Sequence, residues 1–224
     1  MWLLIYRNEA CIVINKFAGE LSEHPVISDE SLFGEMLPEE IYPVHRLDQP
    51  VTGCQLIACS KSASAFLGNA FSQPGLVDKK YWAIIEKRSS IINNPIFNSK
   101  EGELFHWIEV NHKKNRSYAY REKHSKDSKQ AHLRYSITGE LDNYLMMEIS
   151  LITGRHHQIR AQLSCEGIYI KGDLKYGAKR SEKGGGIRLH AYSLSFPNPL
   201  SREDEIKVKT FPPFMDTLWE NFVI

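Results

Sequence analysis

Residues 44–53, "VHRLDQPVTG", contain a single carboxylate, Asp48, which follows Arg46 and precedes a Pro and a Gly. If the residues before Asp48 form a strand, Arg46 and Asp48 share one face and His45 and Leu47 share the other. The Pro and Gly would end that strand and place Asp48 at the edge of a cleft. Two interpretations stay open: Asp48 orders the turn by local hydrogen bonds, or it is a nucleophile held beside a cation.

Apolar runs on either side of this stretch predict the secondary structure. We predict strands, opening with a hairpin, in "WLLIY" (2–6), "CIVIN" (11–15), "YPVHRLD" (42–48), "GCQLIACS" (53–60), "KKYWAIIEK" (79–87), "YLMMEISLI" (144–152) and "LHAYSLSF" (189–196). We predict helices in "SKSASAFLGNAFSQPG" (60–75), "TGRHHQIRAQLSCEG" (153–167) and "FMDTLWENF" (214–222). Because strands and helices do not alternate regularly, we expect the α+β class, with a mixed, largely antiparallel sheet and packed helices in a single domain over residues 1–224.

The composition is that of an ordinary globular protein. The chain has 224 residues, of which 42% are hydrophobic and 25% charged, which is enough apolar material for a sizeable core. The formal net charge of +1 neither supports nor excludes a nucleic-acid partner. The four cysteines form no C-x-x-C motif, and no apolar run approaches the ~18 residues of a membrane span. We therefore expect a cytoplasmic protein without a membrane segment.

A second candidate site lies in "GRHHQIRAQL" (154–163). If this segment is helical, Ile159 and Leu163 form an apolar ridge, and His156 and Arg160 form a polar ridge beside it. Arg160 would then sit at the edge of the buried face and reach into a pocket. The alternative is a surface arginine on an amphipathic helix.

Other site chemistries find little support in the sequence. His156, His157 and His190 have no Cys or carboxylate at a metal-ligand spacing, and adjacent His side chains would diverge on a helix, so we expect no metal site. There is no G-x-S-x-G elbow, Walker loop or dinucleotide G-x-G-x-x-G motif. Residues 111–134 hold eight Lys or Arg, two acids and two interspersed Tyr. That run is either a solvated surface or a surface that combines phosphate contacts with base stacking.

Six segments, in order along nearly the whole chain, resemble the RluA-type pseudouridine synthases. The segments are "VINKFAG" (13–19), "VHRLDQPVTG" (44–53), "KKYWAII" (79–85), "ITGRHHQIRAQL" (152–163), "IKGDLKYG" (170–177) and "RLHAYSLSFPNP" (188–199). They match the family's K-P-x-G, H-R-L-D-x-x-T-S-G, K-x-Y, G-R-x-H-Q-I-R, G-D-x-x-Y-G and L-H-A-x-x-L-x-F-x-x-P patterns. The departures are Phe17 for Pro, Val51-Thr52 for Thr-Ser, and Ala161-Gln162 for Val-His. They lie beside the matched Asp, Tyr and Arg and leave the choice of substrate open.

The resemblance implies an enzyme that isomerises specific uridines in ribosomal or transfer RNA. It would break the C1′–N1 bond and rejoin C1′ to C5, without redox chemistry or hydrolysis and so without a cofactor or metal. Asp48 would be the nucleophile, Arg160 its ion-pair partner, and Tyr81 would lie against the uracil. Arg46 would enter the RNA where the uridine has left its stack.

The resemblance also implies the wider interface and the partner. The expected RNA-contacting residues are His45, Arg46, Lys113, Lys114, Arg116, Arg155, His157 and Gln158. The expected partner is structured RNA, and the expected protein is a monomer. Because the catalytic strands begin at residue 2, we expect the short form without an RNA-binding domain in front.

Two rival functions are kept. One is a hydrolase that cleaves a glycosidic bond, for which two flanking carboxylates are usual; Asp173 lies in a distant loop segment, and free uracil would be the product. The other is a non-catalytic RNA-binding protein or RNA-folding chaperone on the same fold. The presence of Asp48, Tyr81 and Arg160 together favours the synthase over lost catalysis.

Overall fold

The computed structural model describes residues 3–23, 40–88, 96, 99–201 and 203–223. The chain folds into two compact units, residues 1–79 with 190–224, and residues 80–189. The expectation of a single domain over 1–224 stays a prediction. The α+β class is confirmed, because both units are built on sheets that carry a few helices.

The first unit is a mixed sheet that opens with the predicted hairpin. Its strands are β1 (Leu3–Arg7), β2 (Cys11–Lys16), β3 (Tyr42–Pro43), β4 (Thr52–Ala58), β10 (Leu189–Pro197) and β11 (Glu205–Lys209). The order is β1-β2-β4-β10-β11, with β3 paired to the far end of β4. The pairs are antiparallel except β4 with β10, which run parallel.

The parallel approach of β4 and β10 explains the glycine that ends the 44–53 stretch. Gly53 pairs with Ala191 and has a φ of +119°. A Cβ at this position would lie 2.3 Å from the carbonyl oxygen of Ala191. Only glycine allows both the positive φ and this close contact between backbones.

Helix α1 (Lys61–Ser72) forms where the apolar spacing and the capping residue predict it. The Ser60 side chain accepts a hydrogen bond from the backbone N–H of Ala63, and the helix ends before Pro74. Ala63 and Leu67 pack into a core with strand residues such as Leu56 and Phe196. A C-terminal helix, α3 (Thr217–Val223), is also present as predicted. In the part of the chain described here, no helix combines the length and apolarity needed to cross a membrane.

The second unit is an antiparallel sheet in the order β5-β9-β8-β6-β7. Its strands are β5 (Asp78–Glu86), β6 (Glu101–Asn111), β7 (Arg116–Tyr120), β8 (Lys129–Glu140) and β9 (Tyr144–Leu151). Helix α2 (Gln158–Cys165) contacts β6 and β7. The basic run 111–134 therefore spans the β6–β7 turn, β7 and the start of β8.

The predicted strand over 42–48 is wrong in its length. β3 covers only Tyr42–Pro43, and one more backbone bond, from Val44 N–H to the Leu56 carbonyl, extends the pairing. The next backbone donor, the Leu56 N–H, donates to Nε2 of the His45 side chain, with a distance of 3.0 Å between the two nitrogens. The histidine side chain thus replaces the main chain as acceptor, and the backbone leaves the sheet before it reaches Asp48.

Candidate active site

Asp48 lies in a tight turn of the first unit. The Val51 N–H donates to the Asp48 carbonyl at 2.9 Å. The flanking residues are tied to the 19–22 segment: Ser22 Oγ donates to the Leu47 carbonyl and accepts from the Leu47 N–H, both at 2.9 Å. The Gly19 N–H donates to the Gln49 carbonyl at 2.8 Å. The turn thus fixes the backbone of Asp48 through hydrogen bonds of its own and of its neighbours.

Lys16 is a fully buried lysine beside this turn. Its Nζ donates to the carbonyls of Phe17 at 2.8 Å and Gln49 at 3.2 Å. Burial lowers the pKa of Lys16 to about 8, while Glu20 and Asp48 act in the opposite direction. The ammonium therefore ties the strand end of β2 to the residue after Asp48 and adds a positive charge near the carboxylate.

The histidines near the turn are structural in their contacts. Burial lowers the pKa of His45 to about 3 and that of His190 to about 4, with Lys79 adding to the effect at His45. The His45 ring stacks on Phe71 with a centroid distance of 4.9 Å. His190 donates through Nε2 to the Thr210 carbonyl at 3.1 Å, so its Nδ1 accepts from the Thr52 hydroxyl at 2.8 Å.

The departures from the family pattern occupy well-defined positions. Phe17 packs edge-to-face against Phe214, whose side chain is 75% exposed, with ring centroids 5.3 Å apart. Val51 is buried, and Gln162 is fully buried with its Nε2 donating to the Leu104 carbonyl at 3.0 Å.

Arg46, predicted to enter the RNA, is exposed and pairs with Glu23 at 2.6 Å. A cation that is paired only at the surface exchanges partners at little cost.

Arg160 in the second unit is buried, with 4% of its surface exposed. Its Nε and Nη2 donate to the two carboxylate oxygens of Asp173 at 2.7 and 2.8 Å. The surface-arginine interpretation is therefore wrong. Six consecutive residues of α2 are buried, Gln158 to Leu163, so this helix has no polar stripe of the predicted kind.

Tyr176 joins three elements around α2. Its hydroxyl accepts from the Ser117 N–H at 2.8 Å and shares a second hydrogen bond with Nδ1 of His157 at 2.9 Å. Its ring contacts the guanidinium groups of Arg160 at 4.8 Å and Arg116 at 5.0 Å. Tyr176 therefore links β7, the start of α2 and the Arg160–Asp173 pair.

The two adjacent histidines do not diverge, because they precede α2 instead of lying on it. His157 is the N-cap with a φ of +51°, and its ring stacks on that of His156 at 3.8 Å. Gln158 is buried, and its side chain bonds the Thr153 hydroxyl, the Arg155 N–H and the His132 carbonyl. Arg155 is exposed, and its Nε donates to the Gln130 carbonyl at 3.0 Å. This arrangement fixes the loop that leads into the helix.

The remaining predicted site residues also lie in the second unit. Tyr81 is buried on β5, opposite Ile149 of β9. Lys113 and Lys114 are exposed in a short 3₁₀ turn between β6 and β7, and Arg116 begins β7. Two cations of the basic run thus lie on an exposed turn.

One set of side chains has the composition of a metal site. The ligand atoms of His106, Cys165 and Glu166 lie within 4.8 Å of one another. However, His106 Nδ1 contacts the Gln162 amide nitrogen at 3.1 Å, which places the imidazole proton on Nε2, and Nε2 lies 2.9 Å from Glu166 Oε1. The other Glu166 oxygen accepts from Arg121 at 3.0 Å. Hydrogen bonds account for this arrangement, and the expected absence of a metal site stays a prediction.

Known proteins are similar to this chain in sequence and in fold. The family model described as RNA pseudouridylate synthase matches residues 10–165. The chain belongs to the RNA pseudouridylate synthase family. The predicted resemblance is therefore confirmed, and the chain is an RNA pseudouridine synthase, an isomerase.

Relatives and solved structures agree with this membership. The tRNA pseudouridine synthase C of Haemophilus ducreyi is 27% identical, over 97% of this chain and 92% of its own length. The ribosomal large subunit pseudouridine synthase C of Rickettsia typhi is 30% identical, over 96% of this chain and 69% of its own. The structure of human RNA pseudouridylate synthase domain containing 4 superposes with a TM-score of 0.74 at 21% identity, covering 99% of this chain and 91% of that one, and so shares the fold.

The sequence prediction missed three residues of this synthase that the structure singles out. Lys16, Asp173 and Tyr176 all lie in segments that carry the resemblance. A signal was present for Asp173, because an arginine predicted to reach a buried pocket requires a carboxylate partner. For Tyr176 and Lys16, local sequence gives no comparable signal.

Proposed function

We propose that this synthase isomerises specific uridines in structured ribosomal or transfer RNA, with Asp48 as the nucleophile. Arg160 is its cationic partner in the reaction, and Tyr81 lies against the uracil. The observation that carries the proposal is the turn at Asp48. Hydrogen bonds fix the backbone of this turn, and the buried ammonium of Lys16 bonds the residue that follows Asp48. Such a turn presents a carboxylate in one position.

The substrate class rests on the relatives. The Haemophilus ducreyi relative is named as a tRNA enzyme and the Rickettsia typhi relative as a large-subunit enzyme. Both names indicate structured RNA. A uridine within structured RNA has to leave its stack to reach a catalytic group, which costs a few kcal/mol.

The proposed role of Arg160 is compatible with its bond to Asp173. A guanidinium carries five N–H donors, and the bond to Asp173 uses two of them, so this ion pair alone does not exhaust the side chain. Asp173 also holds Arg160 in one orientation. Because Asp173 is buried and engaged with Arg160, it is a poor candidate for the second carboxylate of a hydrolase.

The proposed RNA-contacting residues divide into two groups. Arg46, Lys113, Lys114 and Arg155 are exposed cations, and Arg116 is half-buried, so these five suit direct phosphate contact. His45, His157 and Gln158 bond to protein groups, and His45 is neutral at ordinary pH because of its lowered pKa. We propose that these three position the surrounding loops.

The four free cysteines fit the reducing cytoplasm, where we propose that the enzyme acts as a monomer.

The decisive experiment maps pseudouridine in total RNA from cells with the gene, without it, and with only the Asp48→Asn gene. We expect specific sites that disappear in the deletion and in the Asp48→Asn strain and return with the wild-type gene. Sites that persist in the Asp48→Asn strain would contradict the role of Asp48. An unchanged map in the deletion strain would contradict the RNA class.

A further inference from the structure

Arg116 differs from the other arginines that are largely removed from solvent. Each of those has an acidic partner: Arg88 with Glu86, Arg160 with Asp173 and Arg188 with Glu182. Among the residues that the structure describes, Arg116 has no carboxylate partner, and its buried Nε has no hydrogen-bond acceptor. Its guanidinium lies instead over the ring of Tyr118, at 5.1 Å, and over that of Tyr176, at 5.0 Å.

Two aromatic rings stabilise a cation but do not satisfy its N–H donors. Cation–π contact supplies attraction to the ring faces, whereas a buried donor without an acceptor is destabilising. The Tyr118 and Tyr176 rings restrict the guanidinium without using its hydrogen-bonding edge. A side chain held in this way is prepared for an acceptor that the described residues do not supply.

The surroundings of Arg116 are cationic. Lys113 and Lys114 are exposed in the turn just before it, and Nζ of Lys175 donates to the Asn115 carbonyl at 3.1 Å. Asn115 has a φ of +45°, which turns the chain back so that these groups gather at the tip of the β6–β7 hairpin. Residues 111–118 contain no Asp or Glu. Across the hairpin, Glu109 pairs with Tyr118, and its carboxylate accepts from the hydroxyl of Ser125. An anion at the tip would therefore meet four cations and a single carboxylate that is already hydrogen-bonded.

We propose that Arg116, which contacts the rings of Tyr118 and Tyr176 and lies near Lys113, Lys114 and Lys175, binds one backbone phosphate of the RNA. The inference rests on the proposed function, because it takes the RNA substrate as the source of the phosphate. A guanidinium matches a phosphate with two parallel hydrogen bonds, and an ammonium does not. Arg116 therefore gives this site its geometry, while the lysines add charge.

The site is connected to Arg160 through one side chain. The Tyr176 ring contacts both guanidinium groups, and its hydroxyl bonds β7 through Ser117 and the start of α2 through His157. A phosphate that fixes Arg116 also restricts the Tyr176 ring. Occupation of the hairpin tip thus stabilises the element that carries Arg160.

The test compares Arg116→Gln with Arg121→Gln, another arginine of the basic run, whose side chain is exposed and pairs with Glu166. RNA affinity is measured at several salt concentrations with the Asp48→Asn protein as background, so that no substrate is consumed. For Arg116→Gln we expect a loss of affinity on the order of tenfold at low salt and a salt slope smaller by about one. Arg121→Gln should change both less.

Two further measurements separate binding from folding. Arg116→Gln should lose its contacts with the Tyr118 and Tyr176 rings but stay folded, because no acid is left unpaired, and thermal unfolding checks this. Arg116→Lys should recover part of the affinity. The Nε–H resonance of Arg116 should shift when wild-type protein is titrated with inorganic phosphate. Unchanged affinity and slope in a folded Arg116→Gln protein would overturn the proposal. Because binding is measured without turnover, this result is independent of whether Asp48 catalyses isomerisation.

Discussion

The Asp48 turn and helix α2 hold their charged groups in opposite ways. Around Asp48, the contacts on neighbouring residues run mainly through backbone carbonyls and N–H groups and one buried ammonium, that of Lys16. Around Arg160, they run through side chains: the Asp173 carboxylate and the Tyr176 ring. A backbone scaffold survives replacement of the side chain that it presents, whereas a side-chain scaffold does not. Substitutions in the turn should therefore affect chemistry, and substitutions around α2 should affect stability as well.

Among the substitutions in the turn and around α2, we expect Asp48→Asn to have the largest effect on rate. The amide is not a nucleophile of the required kind, so turnover should be abolished, while RNA affinity and thermal stability should stay close to wild type. Single-turnover assays and unfolding curves measure the two quantities, with the exposed Asp142→Asn as control. Residual turnover within tenfold of wild type would move the chemistry away from Asp48.

The corresponding change in α2 is Arg160→Met, with Arg155→Met as its matched control. Removing Arg160 leaves the buried Asp173 unpaired, which should cost about 3–5 kcal/mol of unfolding free energy. The rate should fall, and its pH profile should move upward, because a carboxylate without its cation has a higher pKa. Arg155 is exposed and bonds one backbone carbonyl, so Arg155→Met should leave the unfolding free energy and the pH profile near wild type and weaken RNA binding by no more than one phosphate contact. An inactive Arg155→Met protein, together with an Arg160→Met protein that keeps the wild-type rate and pH profile, would show that Arg160 is not the cationic partner of Asp48.

Lys16→Met tests how the buried ammonium next to the turn makes stability depend on pH. The pKa of Lys16 is lowered from 10.5 to about 8, so between these values the unfolded chain binds more protons than the folded one. Burial of the ammonium therefore destabilises the protein below pH 8, and this cost disappears as the pH rises toward 10.5. Relative to Lys16→Met, wild type should gain up to about 3 kcal/mol between pH 7 and 10. Denaturant unfolding at both pH values measures the difference; a constant difference would contradict the lowered pKa.

The smallest effect is expected for Tyr176→Phe. The ring and its contacts with Arg116 and Arg160 remain, while the hydroxyl bonds to Ser117 and His157 are lost. Each bond contributes about 1 kcal/mol, so unfolding should become easier by about 1–2 kcal/mol. Tyr176→Leu, which also removes the ring, should cost clearly more. Equal costs for the two variants would show that the ring contacts contribute nothing.

Local features of the fold were predictable, and long-range ones were not. The hairpin of β1 and β2 and the Ser60 cap of α1 follow from neighbouring residues, as does the end of α2 at Gly167, which has a φ of +72°. The strand predicted over 42–48 is shorter because the His45 ring takes a backbone donor of β4. No periodicity reports such a side-chain contact.

In the candidate site, too, the long-range contacts could not be predicted from the sequence. Asp48, Tyr81 and Arg160 were identified through motifs, but the Arg160–Asp173 pair and the place of Tyr176 depend on how a loop returns to α2. The paired histidines were expected to diverge, and they stack because they precede the helix. Side-chain partners across loops depend on tertiary structure, which sequence spacing does not contain.

Product analysis with purified protein tests the central claim most directly. RNA lacking pseudouridine is incubated with wild-type and Asp48→Asn protein, with and without a chelator, then digested to nucleosides and separated. Wild type should yield pseudouridine without free uracil, equally in both conditions, and Asp48→Asn should yield none. Released uracil, loss of activity with the chelator, or pseudouridine from Asp48→Asn would each contradict isomerisation by Asp48.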